Sequence, residues 1–229
     1  MQEIELKKVE MDFHVREAYK TLRSNIEFSG EDVRVVAVTS CAPNEGKSST
    51  SYHLARAFAE NGSRVLLIDA DLRKSVMRGL HKRGRVRLGL VHALVGKSTF
   101  DEIRCKTDLP NLEMIFAGPV PPNPSELLGN KRFKEIVKNA RKEYHFIIID
   151  TPPIGSVIDG AVVAKMCDGV MIVVEAGNVS YRFAQKVKEQ LEKAGCRILG
   201  VVLNKVQLGR KGYYGKYYGK YYGNYSSYE

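Results

Sequence analysis

Six short, predominantly apolar runs recur along the chain, at Val33–Val38, Val65–Ile68, Leu112–Phe116, Phe146–Ile149, Val170–Val174 and Ile198–Leu203. Helical patterns lie between or beside them, at Ser48–Asn61, Lys131–Glu143, Ala161–Met166 and Ser180–Ala194. A strand with one wet face alternates apolar and polar residues, whereas a strand that is apolar at both parities is buried on both faces. The chain is therefore expected to be α/β, with a doubly wound, mostly parallel sheet flanked by helices. In such a sheet ligands bind beyond the carboxyl ends of the strands, so the chemistry belongs in the loops that follow the apolar runs.

The loop after the first run is Ser40-Cys41-Ala42-Pro43-Asn44-Glu45-Gly46-Lys47-Ser48-Ser49, between a strand and an amphipathic helix. That context is what a phosphate-binding loop requires. Gly46 lets the backbone approach phosphates, and successive N–H groups with the helix N-terminus present positive charge to them. Lys47 adds a cation near the β/γ-phosphates, and Ser48 offers a hydroxyl to Mg²⁺. Cys41 stands where the consensus has its first glycine, so context carries the assignment. The expected fold is thus a single-domain P-loop nucleoside triphosphatase, with Asn44, Glu45, Gly46, Lys47, Ser48 and Ser49 around the nucleotide.

Two more strand ends carry carboxylates. Asp69-Ala70-Asp71-Leu72-Arg73 follows the second run and Asp150-Thr151-Pro152-Pro153 the fourth, and an acid in the latter place suits Mg²⁺. Asp69 and Asp71 fall on one side if the extended geometry persists. Asp159 is expected to cap the following helix. In Asn123-Pro124-Ser125-Glu126 the asparagine fits an N-cap, the proline the first helical position and the glutamate a reciprocal capping acid. Asn204, closing the last run, is equally an adenine-reading amide or a turn residue.

At 229 residues and 44% apolar content the chain can bury one sizeable core. The domain is expected to span 1–209, with a helix at 13–28 on which Glu17, Lys20 and Arg23 share a face, and a tail at 210–229. No segment has the length and apolarity of a signal peptide or membrane span, so a cytoplasmic location is expected. Cysteines 41, 105, 167 and 196 show no metal-ligand or disulfide spacing. The formal charge of +10 is concentrated in the tail and in Arg73–Arg87, which holds seven Lys/Arg and no acid. For that segment the readings are a hold on an incoming tail or on phosphorylated tyrosines, and plain solubility. The tail, KGYYGKYYGKYYGNYSSYE from Lys211, contains eight of the twelve tyrosines and no aliphatic residue, so disorder is expected. Its tyrosines suit either stacking on single-stranded nucleic acid or service as substrates.

Together these motifs resemble the bacterial tyrosine kinases of the capsule and exopolysaccharide type, the CpsD/CapB family, over nearly the whole chain. The Gly118-Pro119-Val120-Pro121-Pro122-Asn123-Pro124 segment and the tyrosine cluster are part of the likeness. Lys20 stands where the family's Glu-x-x-Arg-x-x-Arg motif has its first arginine, which keeps the charge without the guanidinium fork. The resemblance implies ATP and Mg²⁺ as cofactors, with Lys47 neutralising phosphate charge, Ser48 and Asp150 organising Mg²⁺, and Asp71 supporting the metal shell. Asp69 would accept the tyrosine proton, and Arg73 and Asn204 would join the nucleotide site. It further implies autophosphorylation in trans on Tyr213, Tyr214, Tyr217, Tyr218, Tyr221, Tyr222, Tyr225 and Tyr228. A homo-oligomeric ring, an octamer, would form through Glu17, Lys20 and Arg23. A membrane-embedded polysaccharide co-polymerase, or chain-length regulator, would activate the kinase at the inner face of the membrane, with no nucleic acid partner. Two rivals come from other classes: a partitioning or septum-positioning ATPase of the same fold, whose signature lysine would fall at Ala42 and which has no need of a polytyrosine tail, and a catalytically idle nucleotide-binding scaffold for nucleic acid, favoured only by the charge.

Overall fold

Along β2 (Val35–Ser40) and β3 (Val65–Asp69) every residue is buried, and β7 (Phe146–Asp150) and β8 (Gly169–Glu175) each show one partly exposed end residue. Burial at both parities places apolar layers on both sides, and alternate residues of one strand join different layers. Val65 and Leu67 pack with Tyr52, Leu54 and Phe58, whereas Leu66 and Ile68 pack with Phe133, Ile136 and Val137. A computed structural model describes residues 1–206, so the tail tyrosines 213–228 lie outside the described residues.

The remaining elements are β1 (Gln2–Leu6), α1 (Phe13–Glu27), α2 (Lys47–Glu60), β4 (His81–Gly84), α3 (Leu90–Leu94), α4 (Phe100–Ile103), β5 (Cys105–Thr107), β6 (Leu112–Ile115), α5 (Pro124–Gly129), α6 (Lys131–Glu143), α7 (Asp159–Ala164), α8 (Tyr181–Lys193) and β9 (Ile198–Asn204). They build a nine-stranded sheet in the order β4-β1-β5-β6-β3-β7-β2-β8-β9. From β6 to β9 every pairing is parallel. This is the doubly wound sheet that the six apolar runs imply.

Three strands extend it beyond that expectation. β5 runs antiparallel to β6, β1 parallel to β5, and β4 antiparallel to β1. None has a continuous apolar run to announce it: β1 is Gln-Glu-Ile-Glu-Leu and β4 is His-Lys-Arg-Gly. They form because Ile4 and Leu6 enter the core shared with Met77 and Cys105. On the same side α2 covers the sheet, with Phe58 stacked on Phe146 at 4.0 Å between centroids. Among the described residues no helix is long and apolar enough to cross a membrane.

Candidate active site

The loop between β2 and α2 is held in shape mainly by its own side chains and by the ends of β8 and β9. Asn44 (φ 67°) and Gly46 (φ 90°) are both left-handed, and Gly46 is the N-cap of α2. A Cβ at Gly46 would lie 2.1 Å from Asn204 Nδ2, so glycine is needed for space as well as for φ. Asn204 Nδ2 donates to the Glu45 carbonyl at 2.9 Å. The buried Glu45 carboxylate accepts from Ala42 N at 2.5 Å and from Glu175 N at 3.1 Å. Lys205 Nζ donates to the Asn44 carbonyl at 2.7 Å and pairs with Glu175 at 3.0 Å. Glu45 and Asn204 thus brace the loop backbone. Cys41 is fully buried, and burial followed by the Glu45 charge pushes its thiol up to about 11.

Three strand ends converge on Lys47. Its Nζ lies 2.9 Å from Asp71 Oδ2 and 3.6 Å from Asp150 Oδ2, and donates to Ser48 Oγ at 3.2 Å. Ser48 Oγ donates to Asp150 Oδ2 at 2.6 Å, while Ser51 Oγ donates to Asp150 Oδ1 at 3.1 Å. Asp69 faces the same space: Asp71 N donates to its Oδ1 at 3.2 Å, and the Ser75 hydroxyl donates to its other oxygen. Burial, reinforced by the charge of Asp150, pushes Asp69 up to about 7 against the Ser75 hydrogen bond. Burial likewise raises Asp150, although Lys47 and Ser48 oppose it. Burial works against the Lys47 charge, but Asp150 and Asp71 outweigh it and hold the ammonium above its ordinary value. The result is a fixed cation beside a carboxyl matched to proton transfer near neutrality.

The donor set fits Mg²⁺. That ion takes hard oxygens and binds through one or two carboxylates together with substrate phosphates and water, not in an all-protein cage. Ser48 Oγ and Asp150 supply such oxygens 2.6 Å apart at the mouth of the phosphate loop. Among the described residues no group of three or more His, Cys, Asp or Glu side chains forms a closed metal cage.

Arg73 and Asp159 are placed differently from expectation. Ile158, not Asp159, is the N-cap of α7, and Asp159 is the first helical residue. Its buried carboxylate accepts a fork from Arg73, Nε to Oδ2 at 2.7 Å and Nη2 to Oδ1 at 3.1 Å, with the Ser125 hydroxyl beside both. Burial pushes this acid up, but the hydrogen bonds from Arg73 and Ser125 prevail and hold it below the ordinary range. The Arg73 side chain therefore clamps the loop after β3 to α5 and α7. Asn123 and Pro124 take the expected cap and first positions, but Asn123 makes no side-chain cap bond and its Nδ2 donates to Glu126 Oε2 at 2.7 Å. On α1, Glu17 and Lys20 pair within the helix at 2.7 Å, and Arg23 Nη1 donates to the Ala57 carbonyl at 3.4 Å.

Sequence reasoning missed Ser51, Ser75, Ser125, Glu175 and Lys205. Ser51 had a signal, since it lies one turn from Lys47 and Ser48 on one face of α2. The others are joined to the site only by the fold.

A family model described as an AAA domain matches residues 33–198. Tyrosine-protein kinase CpsD of Streptococcus agalactiae is 42% identical over 217 residues, covering 90% of this chain and 95% of that protein. The crystal structure of the chimerical protein CapA2B2 superposes with a TM-score of 0.80 at 32% identity, covering 89% of this chain and 93% of the other. The septum site-determining protein MinD of Pyrococcus horikoshii OT3, solved with Mg-ADP, superposes with a TM-score of 0.65 at 24% identity over 77% of this chain and 72% of its own, a likeness of fold alone.

Proposed function

The chain belongs to the CpsD/CapB family of bacterial tyrosine-protein kinases, and from that membership we propose that it transfers the γ-phosphoryl group of ATP to the tyrosines of its own C-terminal tail, between subunits. The observation that carries the reading is the convergence of Lys47, Ser48, Asp69, Asp71 and Asp150 at the ends of β2, β3 and β7. In this proposal the loop N–H groups from Asn44 to Ser49 and the Lys47 ammonium bind and orient the phosphates. Ser48 and Asp150 hold Mg²⁺, which supplies charge neutralisation on the transferred group, and Asp71 keeps Lys47 and the metal shell in place. Asp69 accepts the tyrosine hydroxyl proton, a role its raised pKa suits.

Transfer between subunits is supported by the family membership together with a ring assembly, in which a neighbour's tail is held at high effective concentration; chain length alone also permits reaction within one subunit. The contour length of about 19 residues, ~65 Å, sets the upper limit on how far such a segment can extend toward a neighbouring subunit. We assign the assembly to a ring, an octamer by family, in which Glu17 of one subunit meets Lys20 and Arg23 of the next. The activator is a membrane-embedded polysaccharide co-polymerase whose cytoplasmic segment docks near the nucleotide and recruits the kinase to the membrane, coupling it to capsular or extracellular polysaccharide synthesis.

The test is incubation of the full chain, with and without such an activator segment, with γ-labelled ATP, followed by location of the phosphate. Label on tail tyrosines, lost in Lys47→Met and Asp69→Asn variants that retain wild-type melting, is the expected result. Unchanged autophosphorylation in either variant overturns the role given to that residue.

A further inference from the structure

Asp69 has no exposed surface, although in the proposed reaction it takes a proton from a tyrosine hydroxyl that arrives from solvent. Both of its oxygens are already engaged. Oδ1 accepts from Asp71 N at 3.2 Å, and Oδ2 accepts from the Ser75 hydroxyl. Within residues 73–76, Arg73, Lys74 and Val76 are exposed, whereas Ser75 is half-buried with its hydroxyl turned inward onto the acid. Ser75 therefore stands between Asp69 and the surface.

Its placement is fixed from both sides. On one side Arg73 forks onto Asp159 at 2.7 and 3.1 Å, and Lys74 N donates to Asp71 Oδ1 at 3.0 Å. On the other, Met77 is buried in the core with Cys105. The hydroxyl is not spent on capping the turn that follows, because the N-cap of Met77–Leu80 is Val76, with no side-chain cap bond. A serine hydroxyl that donates to an acid keeps lone pairs with which to accept a second hydrogen bond.

We propose that Ser75 relays the proton of the acceptor tyrosine to Asp69. The tyrosine hydroxyl donates to Ser75 Oγ, which already donates to Asp69 Oδ2. As the tyrosine oxygen bonds to the γ-phosphorus, its O–H bond breaks and that proton passes to Ser75 Oγ, whose own proton passes to Asp69 Oδ2. The bond from the γ-phosphorus to the bridging oxygen breaks, and ADP leaves with the electron pair. Asp69 afterwards returns the proton to solvent by the same route, so Ser75 ends each turnover unchanged. The relay also explains how a bulky phenol is served by a buried acid. The acceptor ring stops at Ser75 and need not enter the space that Lys47, Asp71 and Asp150 fill, all three of which are buried.

The relay rests on the reading of Asp69 as the base, so the experiment tests the two separately. Initial rates of tail phosphorylation by the full chain, with Mg²⁺ and γ-labelled ATP, are compared for Ser75→Thr, Ser75→Val, Ser75→Ala, Asp69→Asn and the Ser75→Val/Asp69→Asn double variant. Threonine and valine share a shape and differ in the hydroxyl, so effects of packing cancel between them. Ser75→Thr should keep the wild-type kcat. Ser75→Val and Ser75→Ala should lose kcat by roughly 10- to 100-fold, a large part of what a positioned base contributes, with KM for ATP and the melting curve unchanged. The double variant should be no slower than Asp69→Asn alone, because both substitutions break one proton path. Wild-type kcat in Ser75→Val or Ser75→Ala, equal losses in the threonine and valine variants, or losses that multiply in the double variant each overturn the relay and leave Asp69 as the base. A loss that appears in KM for ATP with kcat unchanged makes Ser75 a nucleotide contact and overturns it as well. A wild-type rate in Asp69→Asn overturns the base assignment, and the relay with it.

Discussion

Replacing Gly46 by alanine should damage the site through two separable effects. The left-handed backbone at φ 90° costs an alanine about 1–2 kcal/mol. The new Cβ, 2.1 Å from Asn204 Nδ2, must also displace that amide from its 2.9 Å bond to the Glu45 carbonyl, a further loss of about 1 kcal/mol. The sum of about 2–3 kcal/mol falls on the conformation that presents the loop N–H groups, and predicts nucleotide affinity reduced by roughly 30- to 150-fold. Asn204→Ala alone should cost about 1 kcal/mol. Because both single variants lose the same hydrogen bond, the double variant should cost about 1 kcal/mol less than their sum. Titration with a fluorescent ATP analogue and urea denaturation of the four proteins supply the cycle. Strict additivity, or wild-type nucleotide affinity in Gly46→Ala, would refute the account of how this loop is held.

Asp168 should make the fold sensitive to acid. Its Oδ2 accepts from Arg34 N at 2.9 Å and Val35 N at 2.8 Å at the start of β2, and Arg141 forks onto both oxygens at 2.6 and 3.0 Å. Burial pushes the acid up, but Arg141 and the two N–H groups hold it below its ordinary value. A depressed folded pKa stabilises above the unfolded value near 4 and loses that contribution as pH falls through the folded one. Asp168→Asn should therefore lower stability by about 1–2 kcal/mol at pH 7, with allowance for solvent screening, and the difference from wild type should shrink below about pH 4; a gap that persists there in urea denaturation contradicts the assignment. Arg104 is the buried hub between β5 and α6, bonded to Glu143 at 2.6 Å and Tyr144 Oη at 2.9 Å, and because its carboxylate partners stay in contact with water Arg104→Ala should cost about 2 kcal/mol in the same assay. A loss under about 1 kcal/mol would show that the network contributes little.

Most of the site was legible because its residues sit in local patterns that physics ties to strand ends. The apolar runs located β2, β3, β6, β7, β8 and β9, and the acids that close β3 and β7 had to meet beside the loop that closes β2. Asp159 shows where this reasoning stops. An acid at the start of a helix looks like a cap, and only the fold brings it to Arg73, 86 residues away in sequence. The same holds for Glu45, whose burial is decided by a backbone N–H at Glu175 on another strand. β4 was hidden for a different reason: His-Lys-Arg-Gly has no apolar pattern, and it becomes a strand only because Ile4, Leu6 and Met77 anchor its neighbours in the core.

In the proposed mechanism Lys47 of one subunit drives phosphorylation of another subunit's tail. A full-length Lys47→Met chain with an intact tail is mixed, under assembling conditions and with ATP and Mg²⁺, with an active chain whose eight tail tyrosines are phenylalanine, and phosphotyrosine is mapped by mass spectrometry. Phosphate on the tail of the Lys47→Met chain is the predicted result. A Lys47→Met tail that stays unmodified, while the wild-type chain alone phosphorylates its own, would contradict transfer between subunits.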